Sequence, residues 1–173
     1  ALTNNDTTLE AGFNLAKATS WKDFTDALST FVGPQQNFIA AHVNGDIGFI
    51  APGKVPIRRK GTGWLPTAGW TGEGTWIGEI PLNQLPQNLN PEEGLIITAN
   101  QDITTDGYPY FLSHDWAASY RFDRIKELLA DPNNHSINGF KGIQTDIVSH
   151  MAMDFKKWIL STKIEQSLLK NLE

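Results

Sequence analysis

Two short apolar runs on either side of Asn44-Gly45 constrain the fold of this chain more than any other feature. Asn followed by Gly readily takes positive φ at both central positions of a type I′ turn, the tight turn that joins adjacent antiparallel strands. The sequence therefore predicts a β-hairpin at about 37–51, with Asn37 at the start of its first strand. Because alternate side chains of a strand share a face, Asn37 is expected on a buried face with Ile39, Ala41 and Val43.

The rest of the pattern predicts helices at both ends of the chain and a second, separate strand. Apolar spacing favours a helix over 9–17 and a second helix that Ser20 caps and Gly33-Pro34 ends. Three further helices are predicted near the end of the chain, over about 116–129, 140–147 and 154–172. Residues 52–91 are rich in Gly and Pro and are expected to form an irregular loop, whereas 94–100 is typical of a strand. This order favours an α+β fold over a parallel βαβ array, in a single partial domain that covers 1–173.

Composition excludes several classes of function. The chain has 173 residues and a net charge of −5, which argues against nonspecific binding to nucleic acid. No apolar run reaches membrane-spanning length, so no membrane partner is expected. The absence of cysteine excludes thiol nucleophiles and disulfides. The chain does not begin with Met, so we expect a processed or truncated product.

Other chemical motifs are weak. The four histidines lie far apart in the sequence and lack the spacing of zinc ligands. Ser149 and His150 with Asp146 invite comparison with a hydrolase triad, but adjacent residues on a helix point in different directions. The sequence alone therefore assigns no metal site and no triad.

Residues 36–53, running on into Arg58, closely resemble part of the catalytic β chain of penicillin acylases, which are N-terminal-nucleophile (Ntn) hydrolases. The Trp- and Gly-rich passage at 69–78 and the segment from Asn90 to Asn100 follow in the family's order. The resemblance extends over about 9–152 and implies an internal fragment of the β subunit, from a fold that stacks two β-sheets between helical layers (αββα). The family's nucleophile is the first residue of that chain; here residue 1 is Ala, so the nucleophile is expected to lie elsewhere in the parent enzyme.

The resemblance also suggests roles for two residues. By spacing alone, Asn37 would more often be an amide that caps a loop after Gly33-Pro34. Family members instead use an Asn at this position to donate to the oxyanion of the tetrahedral intermediate. They carry an Arg near the position of Arg58, tied into the hydrogen-bond network of the active site; the adjacent Arg59 is the alternative match, one residue along.

The function that the resemblance implies is cleavage of the amide bond of acylated small molecules, either penicillin-like amides or acyl-homoserine lactones. An N-terminal Ser would form the acyl-enzyme, and the isolated chain is predicted to be inactive. The chemistry requires no cofactor; family enzymes often hold a structural calcium ion, for which this sequence identifies no ligands.

The expected partners are the remaining α and β chain segments of the parent and a small-molecule amide substrate. The isolated piece is also expected to self-associate. The parent is expected to be periplasmic or secreted, by resemblance only. The alternative is a non-catalytic module that binds a ligand through its Trp-rich loop at 64–76.

Overall fold

A computed structural model describes residues 5–162 of the chain. The fold divides into two compact units, one ending at Trp116 and the other beginning at Ala117. The first unit contains two helices and five strands: α1 (Thr8–Leu15), α2 (Trp21–Leu28), β1 (Phe38–Ala41), β2 (Ile47–Ile50), β3 (Pro56–Arg58), β4 (Trp76–Glu79) and β5 (Gln87–Leu89). The second contains α3 (Tyr120–Leu129), α4 (Ile137–Gln144) and α5 (His150–Ser161). The α+β class and the helices at both ends are confirmed.

The hairpin is confirmed, but its turn is not of type I′. β1 and β2 pair antiparallel from Phe38 opposite Ile50 to Ala41 opposite Ile47. The N–H of Gly45 donates to the carbonyl of His42, and among the described residues Asn44 is not one of those with positive φ. Only Gly45, at φ 98°, takes the left-handed region here. A type I′ turn needs two such residues, so the connection is a longer loop closed by glycine.

The burial predicted for the first strand is wrong. In β1 the side chains of Phe38 and Ala40 are half-buried, whereas Ile39 and Ala41 are exposed. Ile39 is 49% exposed and Val43 is fully exposed. β1 is apolar on both faces, so alternation alone does not show which face is covered.

The segment 52–91 is more regular than predicted. β3 and β4 form a two-stranded antiparallel sheet, and β5 pairs with the free side of β2 to give the order β1-β2-β5. The buried residues Val55, Ile80 and Leu85 pack together beside these strands. The expectation of an irregular loop failed because the strands are only three or four residues long and lie between Gly and Pro residues.

The strand predicted at 94–100 does not form. None of the five strands among the described residues covers this segment. The side chain of Gln101 instead accepts from the N–H of Ala99 at 2.7 Å and donates to the carbonyl of Ile97 at 3.1 Å. A side chain thus satisfies backbone groups that a neighbouring strand would otherwise bind, and both sides of β2 are already occupied.

The second unit is helical and is held together by a charged network. Arg124 in α3 binds the carboxylate of Asp146 with two hydrogen bonds, at 2.8 and 2.9 Å, and also donates to Glu127. Ser136 caps α4 by accepting from the N–H of Gly139. The helix predicted over 154–172 begins earlier, at His150, and its predicted part beyond residue 162 lies outside the described residues. No described helix is long and apolar enough to cross a membrane.

Candidate functional site

A cavity of about 260 Å³ lies beside the start of the hairpin, entirely within the first unit. Asn37, which directly precedes β1, and Ala51, which directly follows β2, both line it. Further lining residues come from the chain after β5, and they include Asn100, Ser113, Asp115 and Trp116. The cavity therefore combines carboxamide, hydroxyl and carboxylate groups with apolar surface.

Asn37 is one of the residues that line this cavity. The residue is half-buried, and within 5–162 its side chain makes no hydrogen bond. A carboxamide holds two N–H donors and one carbonyl acceptor, so Asn37 can donate to an oxygen atom of a bound molecule without breaking an existing contact. Because β1 is paired with β2 immediately afterwards, the backbone that carries Asn37 is fixed.

Asn100 also lies in the wall of this cavity. Its backbone takes the left-handed conformation, with φ at 64°. The Gln101 bridge fixes the backbone immediately before it, and the neighbouring Ala99 is buried. The strand that the sequence predicts to end at residue 100 is absent from the described residues, and Asn100 lies in the wall of the cavity instead.

Arg58 lies elsewhere in the first unit. It is the last residue of β3, and its guanidinium carbon stands 5.8 Å from the centre of the Trp76 ring, a cation–π arrangement. Gly63 covers the same side chain closely, since a Cβ there would be 2.7 Å from Nε of Arg58. Arg58 is not among the residues that line the cavity with Asn37. The structure does not bring the two predicted site residues together in one cavity, and the catalytic roles of both stay predictions.

The weaker sequence motifs form no site. The carboxylate of Asp146 is engaged by Arg124, which holds its pKa below the usual value. The hydroxyl of Ser149 caps α5 by accepting from the N–H of Ala152, and His150 contacts Glu127 at 2.9 Å. Across 5–162, no three His, Asp or Glu side chains are grouped closely enough to hold a metal ion.

Sequence reasoning missed part of the cavity wall. Asp115, Ser113 and Trp116 were not predicted as site residues, and the apolar contribution of Leu85 was hidden in the presumed loop. The N–H of Asp115 donates to the Ser113 hydroxyl at 2.9 Å, which shapes a local turn. Only the tertiary fold brings these residues close to Asn37, and no short-range spacing in the sequence predicts their proximity.

Comparison with known proteins assigns the chain to a family. The family model described as penicillin amidase matches residues 1–172. The penicillin acylase 2 proenzyme of Pseudomonas sp. (strain SE83) is 37% identical over 65% of this chain and 15% of its own length. The acyl-homoserine lactone acylase QuiP of Pseudomonas fluorescens (strain Pf0-1) is 31% identical over 98% of this chain and 20% of its own length. The chain thus spans a fifth or less of these curated relatives.

A solved structure supports the same relationship at the level of the fold. The thermostable penicillin G acylase from Alcaligenes faecalis, in its orthorhombic form, matches 72% of this chain and 22% of its own, with a TM-score of 0.57 and 23% identity. That likeness agrees with the observed mixture of helices and small antiparallel sheets. Together with the family match over nearly every residue, it shows that the chain belongs to the penicillin amidase family.

Proposed function

We propose that this chain is the part of a longer amidohydrolase that stabilises the oxyanion, through Asn37, while another part of the enzyme supplies the nucleophile. The observation that supports this most is the position of Asn37: the residue lines a cavity, and its side chain has no hydrogen-bond partner within 5–162. Membership of the penicillin amidase family adds that the relatives are acylases.

The proposed reaction is acyl transfer to an N-terminal Ser, followed by hydrolysis of the acyl-enzyme. The α-amine of that Ser, with an ordinary pKa of about 7.7–8.0, acts as the base near neutral pH. As the hydroxyl attacks, the carbonyl oxygen of the substrate gains negative charge. An N–H of Asn37 donates to that oxygen, and donors of this kind typically contribute about 10²–10³ in rate.

The proposed substrates are acylated small molecules with a polar amine portion. Two relatives carry names that refer to penicillin and to acyl-homoserine lactones, both amides of this kind. The cavity beside Asn37 has apolar surface from Ala51, Leu85 and Trp116, which suits the hydrocarbon part of such a molecule. We infer that the reaction is amide hydrolysis. The preference for one acyl group over another is determined by segments outside this chain.

Other segments of the parent are the proposed partners. Ile39, Val43 and Trp158 are 49, 100 and 62% exposed, and several other apolar side chains of α5 are also exposed. Such surface is usually covered by further protein. We propose that this exposed apolar surface packs against the rest of the acylase. The QuiP relative is about five times as long as the part of it that this chain matches.

The test compares the full-length polypeptide that contains this segment with isolated 1–173. Each is incubated with a chromogenic phenylacetyl amide, a fatty-acyl amide and an acyl-homoserine lactone. We expect the full-length enzyme to release the free amine from at least one substrate, and the isolated chain to release none. Hydrolysis by 1–173 alone, or inactivity of a folded full-length enzyme on all three, would overturn the proposal.

The exposed tryptophans support a second candidate function, ligand binding by the Trp-rich loop. Trp64, Trp70 and Trp76 are 64, 90 and 47% exposed, an unusual display of large aromatic surface. A binding module would change its Trp fluorescence on titration of isolated 1–173 with phenylacetate, a fatty acid or an acyl-homoserine lactone. The amidase proposal expects no saturable change. The paired replacement of Trp64 and Trp70 by Phe identifies the loop as the source of any signal.

A further inference from the structure

The first strand of the hairpin, β1, is apolar on both faces. Phe38, Ile39, Ala40 and Ala41 follow one another without a polar residue. A strand with solvent on one face usually alternates apolar and polar residues, whereas a continuous apolar run is typical of a strand inside a sheet that is covered on both faces. Among the described residues, however, β1 is the outermost strand of its sheet. Its sequence is that of an interior strand, and its position is that of an edge strand.

The hydrogen bonds of the hairpin show which backbone groups of β1 point away from β2. The N–H of His42 donates to the carbonyl of Asp46 at 2.8 Å, and this pair continues the register of the two strands. Because bonded and non-bonded pairs alternate along an antiparallel ladder, Ala40 is bonded to β2, whereas Ile39 and Ala41 are not. The N–H and C=O groups of Ile39 and Ala41 therefore point outwards, and within 5–162 they have no hydrogen-bond partner.

The other strands of this unit carry features that discourage pairing at an edge. β3 begins with Pro56 and ends with Arg58, and its register with β4 shifts between its last two residues. Pro86 directly precedes β5, and two of the three residues of β5 carry polar amides. Natural proteins block exposed edges with proline, charge and bulges. β1 has no proline, no charged residue and no shift in register.

Apolar surface adjoins the outer edge of β1. The side chain of Ile39 is exposed, and so is that of Val43 just beyond the strand. A groove of about 300 Å³ also borders β1, and its lining includes Leu15 of α1 with Trp21 and Phe24 of α2. A strand added at this edge would direct alternate side chains to the two faces of the sheet. Apolar side chains suit both the groove and the exposed surface of Ile39.

We propose that an extended, apolar segment of the parent enzyme pairs with the outer edge of β1, through the N–H and C=O groups of Ile39 and Ala41. This inference rests on the proposed function, in which the chain is part of a longer enzyme, and it adds how a second segment binds. The chain matches 20% of the QuiP relative, so most of that protein lies outside the matched part. The pairing makes β1 an interior strand, as its apolar sequence requires, and holds the backbone next to Asn37 from its second side.

The first measurement is residue-resolved amide hydrogen exchange in the full-length enzyme. An unpaired amide on an exposed edge exchanges nearly as fast as in an unfolded chain, whereas a paired amide is protected. We expect the amides of Ile39 and Ala41 to exchange at least about a hundredfold more slowly than in an unfolded chain. The amide of Ala40, bonded within the hairpin, is the internal reference. The protection should be the same in dilute and in concentrated enzyme, because the added strand belongs to the same enzyme molecule.

The second measurement compares two proline variants of neighbouring alanines. Ala40→Pro removes the hydrogen bond to β2, and Ala41→Pro removes the N–H that points outwards. Proline is tolerated in an edge strand where its nitrogen faces solvent. If the outer edge is paired, both variants should lower the midpoint of thermal unfolding of the full-length enzyme by similar amounts. Ala41→Ser keeps the N–H and is the matched control, with a midpoint close to that of wild type.

Three results would overturn the inference. Exchange of Ile39 and Ala41 within about tenfold of the unfolded rate would show that the edge is open. Protection that rises with protein concentration would assign the edge to a second copy of the enzyme. A tolerated Ala41→Pro beside a destabilised Ala40→Pro would show that no strand pairs there. None of these measurements depends on catalysis, so they are separate from the failure to cleave amides that would remove the proposed function.

Discussion

The indole ring of Trp21 lies directly against Gly48, where a Cβ on the glycine would stand 2.5 Å from Cε3 of the ring. Trp21 is the first residue of α2, and Gly48 lies in β2 opposite Ala40 of β1. The contact fixes which face of the hairpin is covered by the helix. Asn37 and Ala51, at the two ends of the same hairpin, line the cavity described above.

Gly48→Ala should destabilise the chain, because the added methyl group has to displace a packed aromatic ring. Overpacking of this kind typically costs about 1–3 kcal/mol. The measurement is the free energy of unfolding from urea titration. Gly78→Ala is the control: Gly78 also lies in a strand, β4, and a Cβ there meets nothing within 4 Å. Equal stability of the two variants would show that the Trp21 contact is not tight.

The two glycines of α4 should respond in opposite directions. A Cβ on Gly139 would stand 2.6 Å from the carbonyl carbon of Asn134, and backbone atoms cannot swing aside as a side chain can. A Cβ on Gly142 meets nothing within 4 Å. We expect Gly139→Ala to destabilise the second unit and Gly142→Ala to stabilise it by roughly 0.5–1 kcal/mol, the helix-propensity gain. Helical circular dichroism during thermal unfolding reports both, and a gain for Gly139→Ala would contradict the packing.

The pair of Arg124 and Asp146 should make the second unit sensitive to acid. Both side chains are less than one-fifth exposed, and hydrogen bonding to Arg124 lowers the pKa of Asp146. Because the pKa of Asp146 is lower in the folded state than in the unfolded state, the ionised carboxylate stabilises the fold at pH values above the unfolded pKa of about 3.9. This stabilisation is lost as the pH falls through the folded pKa. Asp146→Asn should therefore lower the urea midpoint at pH 7, and its difference from wild type should shrink below about pH 4.

Asp154→Asn provides the control for this acid dependence. Asp154 is 55% exposed and contacts Lys157, which is 79% exposed, so solvent screens the pair. Its urea midpoint should stay close to that of wild type at every pH. A difference between Asp146→Asn and wild type that stays constant from pH 7 to pH 3 would argue against the ion pair as its source.

Isolated 1–173 should associate with itself. The first unit exposes Ile39 and Val43 in and next to β1, whose outer edge pairs with no other strand among the described residues and could pair with a second copy. Sedimentation velocity over a hundredfold range of concentration should show a rising average mass. Ile39→Lys should shift the distribution towards monomer, whereas Lys54→Arg should not. A monomer at all concentrations would contradict this expectation.

The sequence identified elements well where local chemistry decides them. Ser20 was predicted to cap a helix, and its hydroxyl accepts from the N–H of Asp23 at 3.1 Å. The hairpin followed from Asn44-Gly45 and its apolar flanks. The covered face of β1 could not be predicted, because Ile39 and Ala40 are both apolar and the distant Trp21 decides between the faces.

Elements that depend on distant partners were predicted poorly. The apolar run 94–100 has the composition of a strand, but Gln101 binds its backbone and no neighbouring strand is available among the described residues. The position of Asn37 and Asn100 beside the same cavity is likewise a result of the tertiary fold. Resemblance to a family pointed to both Asn37 and Arg58; Arg58 lies over the ring of Trp76, and the catalytic roles of both residues stay predictions.

The most direct measurement is the kcat of the full-length enzyme carrying Asn37→Ala. If Asn37 donates to the oxyanion, kcat should fall by about 10²–10³ with little change in KM, because the contact forms mainly in the transition state. Asn138→Ala, at an exposed position of α4, is the matched control and should retain full activity. A folded Asn37→Ala enzyme whose kcat lies within twofold of wild type would contradict the proposed role.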